Sequence, residues 1–169
     1  MKAIGLDPAD GPALLAEILE DLPAFWDRRD LRALHHPFWL RQCAADSLVV
    51  RGEASILAGY LLGVVTARGL AYIHLVAVRN TFRRRGIGAL LYSAFFRAAE
   101  RRDAKCVEAI TTPTNTGSIA FHQQFGFTAE VVPDYGGPDQ PRVFFRRPLA
   151  ARGLTGSTSQ ADSDPEQWF

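Results

Sequence analysis

The stretch Ala71-Tyr72-Ile73-His74-Leu75-Val76-Ala77-Val78, followed closely by Arg83-Arg84-Arg85-Gly86-Ile87-Gly88, decides how this chain is read. An apolar strand runs into an Arg- and Gly-rich turn, and the turn opens directly into an amphipathic helix. Strand, glycine turn and helix N-terminus together form an anion site, because unpaired backbone N–H groups converge there and the helix dipole adds partial positive charge. Gly86 and Gly88 lack Cβ atoms, so a phosphate can approach the main chain. The feature points to a nucleotide-like cofactor that carries a pyrophosphate.

What the turn lacks narrows the cofactor. A dinucleotide fingerprint needs a third glycine where Leu91 stands, and a phosphate loop of the Walker kind needs Gly-Lys-Ser/Thr, which does not occur. The remaining pattern, Arg-x-x-Gly-x-Gly, resembles the acetyl-CoA pyrophosphate loop of GNAT-type N-acetyltransferases. A second segment, Asn115-Thr116-Gly117-Ser118-Ile119-Ala120-Phe121-His122-Gln123-Gln124-Phe125-Gly126-Phe127, resembles that family's second signature: an Asn, a helix with a small residue and an aromatic, then Gly-Phe opening a strand. The two lie in the family's order with the strand Cys106 to Thr112 between them. The resemblance covers about Val49 to Leu149.

Bulk properties agree. The 169 residues, 47% hydrophobic, can bury one good core. A formal net charge of +1 gives no global field toward nucleic acid or an anionic membrane, and Arg83-Arg84-Arg85 is not part of a broad basic stripe. Seventeen arginines against two lysines (Lys2, Lys105) read as genomic composition. Two cysteines, Cys43 and Cys106, imply no disulfide framework and suit a reducing cytoplasm. No apolar stretch is as long as a membrane span, and the N-terminus lacks a signal peptide's apolar core.

Along the chain, the pattern predicts a strand at Lys2 to Leu6 and a helix at about Ala13 to Glu20. A broken helical region, Asp27 to Cys43, is interrupted at Pro37. Strands follow at Ser47 to Arg51, Ile56 to Thr66 and Tyr72 to Val78. In the next helix Ile87, Leu90, Leu91, Ala94, Phe95 and Ala98 share one face. Strand Cys106 to Thr112, helix Thr116 to Phe125 and strands Thr128 to Val132 and Arg142 to Arg147 complete the order. Strand–helix–strand between 72 and 112 predicts parallel pairing, and the last two strands an antiparallel pair. The resemblance implies an α/β (α+β) GNAT fold with a mixed central sheet of about six to seven strands and about four helices. Residues 1–149 read as a single domain and 150–169, rich in Gly, Ser, Thr and Asp, as a loose tail.

The resemblance also assigns roles. Backbone groups of Val76, Ala77 and Val78 would face the pantetheine and the thioester carbonyl. The pyrophosphate would sit on the N–H groups of Arg84, Arg85, Gly86, Ile87, Gly88 and Ala89, with Arg83 or Arg84 adding charge. Asn115 and Ser118 would hold the pantetheine arm. Many family members carry a Tyr as leaving-group acid five positions before the Phe of Gly-Phe, which here is His122. The imidazole either protonates the thiolate or shapes the pantetheine tunnel while water supplies the proton. Several relatives place a Glu base where Tyr72 stands.

Strand alternation puts Tyr72, His74 and Val76 on one face and Ile73, Leu75 and Ala77 on the other, making His74 a candidate base or a hydrogen-bonded core residue. His35, His36, Trp39, Asp134 and Tyr135 are candidates for the acceptor pocket. The His35-His36 pair has no third ligand at metal spacing, so no metal is expected. The expected reaction is acetyl transfer from acetyl-CoA to a primary amine of a small molecule by direct attack, with a homodimer left open. Two alternatives stand beside it: a covalent acetyl-enzyme through Cys106, and an acyl-CoA-binding regulatory module without turnover.

Overall fold

The computed structural model describes residues 1–150; the tail expectation falls almost wholly outside the described residues. Seven strands form one mixed sheet: β1 (Ala3–Gly5), β2 (Leu48–Arg51), β3 (Leu57–Val65), β4 (Leu70–Val78), β5 (Cys106–Thr111), β6 (Thr128–Val132) and β7 (Arg142–Pro148), in the order β1-β2-β3-β4-β5-β7-β6. Every neighbouring pair is antiparallel except β4 and β5, which run parallel through a helical crossover, as the strand–helix–strand pattern predicts. β6 and β7 are antiparallel as expected, with β7 inserted between β5 and β6.

Five α-helices are described where about four were expected: α1 (Gly11–Glu20), α2 (Leu22–Trp26), α3 (Pro37–Arg41), α4 (Ile87–Arg101) and α5 (Thr116–Gln124). The difference lies in the front third. Pro23 and Pro37 both sit in the first turn of a helix, where a missing N–H costs nothing, so each opens a short helix. The region 27–43 is accordingly a loop with one 3-10 turn and then α3, instead of a long helix broken at Pro37.

Two cores lie on opposite faces of the sheet. One packs α4 and α5 against β3, β4, β5 and β7, with Phe95, Phe145, Leu91 and Val107 fully buried. The other packs α1, α2 and α3 against β3 and β4, around Ile18, Phe25, Leu40 and Tyr60. The buried face of α4 is Ile87, Leu91, Tyr92, Phe95, Phe96 and Ala99, turned from the expected face so that Tyr92, Phe96 and Ala99 replace Leu90, Ala94 and Ala98. The reason is a second partner: Phe121, Phe125 and Phe127 gather around Tyr92 at ring distances of 5.0, 5.1 and 6.2 Å, so the apolar stripe spans both the sheet and α5.

The expected alternation in β4 breaks at one residue. From Gly59↔Val78 to Leu62↔Leu75 the register is regular; the next pair is Gly63↔Ile73, so His74 is an extra residue with no partner on β3. Ala71 and Ile73 pack toward α4, while Leu75 and Ala77 pack toward α1–α3. Tyr72 and His74 therefore share the α1–α3 face, but Val76 and Val78 turn to the α4 side. Gly63 makes this possible: a Cβ there would come 2.8 Å from the Tyr72 carbonyl and from Phe95.

The wall facing the bulge is held by a buried relay. Trp26 Nε1–H donates to the Tyr60 hydroxyl at 2.9 Å, the hydroxyl donates to His35 Nε2 at 2.7 Å, and His35 Nδ1–H donates to the Leu31 carbonyl at 2.8 Å. Because a carbonyl only accepts, the direction of the whole relay is fixed. It ties α2 and the loop after it to β3.

Candidate active site

β4 and β5 are paired only from Leu70↔Cys106 to Ile73↔Ala109. Beyond Ile73, β4 runs on to Val78 without a ladder to β5, while β5 stays paired to β7 as far as Thr111. The two strands part, and a cleft of about 870 Å³ opens between them. A strand edge with no neighbour leaves peptide N–H and C=O groups to be met by something else, which gives an extended, amide-bearing ligand a ready partner. His74 to Val78, Ala109 to Thr112 and the start of α5 line the cleft.

At its mouth stands the N-terminus of α4. Gly86, at φ +78°, is the cap residue and offers no side chain to the helix's first amides; the Leu90 N–H already bonds the Gly86 carbonyl at 2.9 Å. Arg84 sits at φ +61°, a conformation that costs a non-glycine residue about 1 kcal/mol. A Cβ on Gly88 would come 3.0 Å from Phe121, so the side chain missing at Gly88 is the space between α4 and α5. Uncapped amides and this gap could hold a pyrophosphate.

The three arginines divide. Arg83 donates through Nη2 to the Phe25 carbonyl at 2.7 Å and through Nε to the Val78 carbonyl at 3.3 Å, and pairs with Asp27 at 3.3 Å. It lines the cleft, but its guanidinium ties α2 to β4, which corrects its expected role as a free phosphate contact. Arg85 lies over the Phe82 ring at 5.3 Å, and Arg84 is exposed. Of the turn and first helical residues, Gly88 lines the cleft; Arg84, Arg85, Gly86 and Ala89 lie outside the lining, and Ile87 is buried in the core under α4.

The second signature folds as a capped helix. Asn115 accepts from the Ser118 N–H at 3.3 Å and donates to Thr111 Oγ1 at 3.0 Å, fastening α5 to the end of β5. Asn115 and Ser118 both line the cleft. His122 also lines it, yet both ring nitrogens are taken: Nδ1–H donates to the Ser118 carbonyl at 2.8 Å, and Nε2 accepts from the Tyr92 hydroxyl at 2.8 Å. The ring stacks on Phe145 at 4.0 Å, and burial holds its pKa below the ordinary 6.5. A neutral imidazole that spends its one N–H on a carbonyl has no proton to give, so the acid role expected of His122 does not fit this geometry. The sequence reading missed Tyr92, fully buried and cleft-lining; its spacing from Gly88 was the available signal.

On the opposite wall, His74 Nε2–H donates to the Leu34 carbonyl at 2.8 Å, and the ring stacks on Trp39 at 4.1 Å. That bond fixes the tautomer, leaving the lone pair on Nδ1, and burial lowers the pKa, so the ring is neutral near pH 7. Tyr72 stands beside it, its phenol pushed up to about 12 by burial first and then by Tyr135 and Glu108.

The remaining acceptor candidates scatter. His35 is turned into the relay, its pKa lowered by burial, and is outside the lining; His36 caps α3 by accepting the Phe38 N–H at 3.2 Å. The two neighbours thus point apart. Trp39 supports His74 from outside the cleft. Asp134 accepts the Asp139 N–H at 3.1 Å, and Tyr135 rests against Phe144 on the loop before β7. Cys106 is buried at the paired end of β4 and β5, outside the lining.

Since burial lowers the pKa of His35, His74 and His122, the unfolded chain takes up protons below pH 6.5 that the folded chain does not. Stability is then fully present above pH 6.5 and is lost as pH falls toward the folded pKa values. Urea midpoints are expected to drop between pH 7.5 and 5.5, less steeply in His122→Gln; an equal slope would contradict a neutral, buried His122.

A model of the acetyltransferase (GNAT) family matches residues 12–127. Among solved structures, a ribosomal-protein-alanine N-acetyltransferase of Brucella melitensis is 25% identical with a TM-score of 0.64, covering 88% of this chain and 100% of that one. The yncA protein of Salmonella typhimurium, described as an acetyltransferase and solved with its cofactor acetyl-CoA, is 20% identical with a TM-score of 0.66, over 93% and 98%. An aminoglycoside 6'-acetyltransferase of type Ii is 15% identical with a TM-score of 0.71, over 90% and 100%. Nothing among the curated proteins matches.

Proposed function

The chain belongs to the GNAT acetyltransferase family, and from that membership we propose that it moves an acetyl group from acetyl-CoA to a primary amine of a small acceptor, by direct attack in a ternary complex. The observation that carries this reading is the parting of β4 from β5 above Ile73, beside an uncapped helix N-terminus. Residues 1–149 act in it as one catalytic unit.

Acetyl-CoA supplies the activated acyl group and a thiolate leaving group. The amides of Arg84 to Ala89 hold its pyrophosphate, with the α4 dipole adding to their pull. The free edge of β4 from Val76 to Val78 bonds the pantetheine amides as a neighbouring strand would, and a backbone N–H there takes the negative charge that develops on the carbonyl oxygen. Asn115 and Ser118 keep α5 against the other side of the arm. The acceptor enters from the face of Tyr72 and His74, where the bulge turns the imidazole to the cleft. His74 Nδ1 takes the ammonium proton, directly or through water, and the Nε2–H···O=C bond to Leu34 keeps the ring in that tautomer. His122 shapes the tunnel beside Tyr92, and the second proton that the nitrogen sheds as the amide forms would pass through water to the departing sulfur, giving the free thiol.

Calorimetry is expected to give acetyl-CoA a dissociation constant on the order of micromolar, and Gly88→Glu to weaken it at least about a hundredfold, since the side chain meets Phe121 and its charge repels phosphate. Unchanged affinity in that variant would remove the loop from the site. Binding without thiol release from any amine would favour the regulatory module. His74→Ala is expected to lower the rate about a hundredfold or more near neutral pH. The deficit should shrink as pH rises toward the amine's own pKa; a loss constant with pH would make His74 a packing residue.

A further inference from the structure

Four charged side chains line the cleft: Asp27, Arg29, Arg83 and Arg142. Asp27 and Arg83 neutralise each other across 3.3 Å. Arg29 and Arg142 have no carboxylate within ion-pair distance among the described residues. Arg29 follows α2 and lies 5.2 Å over the Trp26 ring. Arg142 is the first residue of β7 and is half-buried, and among the described residues its guanidinium's only hydrogen bond runs from Nη1 to the neighbouring Pro141 carbonyl at 2.8 Å. Of the carboxylates in that region, Glu108 pairs with Arg146 at 3.7 Å and Asp134 accepts the Asp139 amide, and neither pairs with Arg142.

The position of Arg142 separates it from the phosphate end. Val143 and Phe145 turn into the core beneath α4, so alternation puts Arg142 on the opposite face, the face of Tyr72 and His74. The loop carrying Tyr135 closes over it: a Cβ on Gly136 would come 3.3 Å from Arg142 Nη2. Tyr135 in turn is near enough to raise the Tyr72 pKa. A half-buried guanidinium beside a bare acceptor wall has donors left over, and their fork matches a carboxylate.

We propose that the acceptor amine bears a carboxylate, as an amino acid does, and that Arg142, assisted by Arg29, binds that carboxylate and turns the amine toward His74. The inference rests on the acetyl transfer proposed above and names its acceptor class. The same two cations repel polycationic acceptors, so the cleft selects by rejection as well as by attraction.

The test follows thiol release from acetyl-CoA with the full chain. Each of a panel of α-amino acids is compared with its amide and its decarboxylated amine, and spermidine and aminoalkyl phosphates are added as separate probes. The best acid is expected to exceed its own amide in kcat/KM by about tenfold or more, the range of a hydrogen bond to a charged group. Arg142→Gln is expected to bring that ratio close to one through a higher acceptor KM, with Arg142→Lys in between and acetyl-CoA affinity unchanged by calorimetry. Preference for the amide, for spermidine or for the aminoalkyl phosphate would overturn the proposal, as would a ratio that survives Arg142→Gln. Failure of the native chain to bind acetyl-CoA would instead bring down the transferase reading, and this one with it.

Discussion

The ladder between β4 and β5 ends at Ile73, and most of what the site can do follows from that one missing set of hydrogen bonds. A central strand normally spends both edges on its neighbours. Here one edge has no strand beside it from His74 to Val78, where Arg83 takes the Val78 carbonyl, in the middle of the sheet and with cores on both faces. Backbone groups in such a place are costly unless they are satisfied, so the splay is stable as a wet cleft or as a receptor for an amide-bearing chain. The bulge at His74 belongs to the same device. It adds one residue to β4 against β3, increases the local twist, and turns Tyr72 and His74 together toward the α1–α3 side of the sheet.

The cleft stays open because both walls are fastened elsewhere. On one side, the Trp26–Tyr60–His35–Leu31 relay and the Arg83 contacts to Phe25, Val78 and Asp27 fix α2 and the following loop to β3 and β4. On the other, the Asn115 cap and the Tyr92–His122–Ser118 bonds fix α5 to β5 and α4. Each relay ends on a carbonyl, which sets the tautomer, while burial keeps the histidines neutral against the opposite pull of that bond. These side chains look like catalytic candidates in a sequence, and two of them prove to be struts. Arg83 and His122 touch the cleft while their polar atoms are spent on the protein.

Element type and order were legible because the pattern is local: apolar runs bounded by glycines for the central strands, an apolar stripe for α4, an Asn before α5. The family and the glycine turn before α4 were legible for the same reason, since such a turn must be contiguous. What was not legible depends on partners distant in the chain. The rotation of α4's buried face needs Phe121, Phe125 and Phe127; the bulge needs Gly63 opposite His74; the binding of His122's lone pair needs Tyr92. Pro37 misled because proline ends one helix and starts another equally well. Arg142 carried no signal at all: its meaning comes from standing half-buried on the Tyr72 face with no carboxylate beside it.

The central claim is that the free edge of β4 is where the cofactor binds. Amide hydrogen exchange of the native chain with and without acetyl-CoA tests it directly, because exchange reports on each unpaired N–H. Protection is predicted to concentrate on residues 74–78 and 84–89, with the paired segment 70–73 unchanged. Protection confined to other segments, with 74–78 exchanging as fast as in the free protein, would contradict the account.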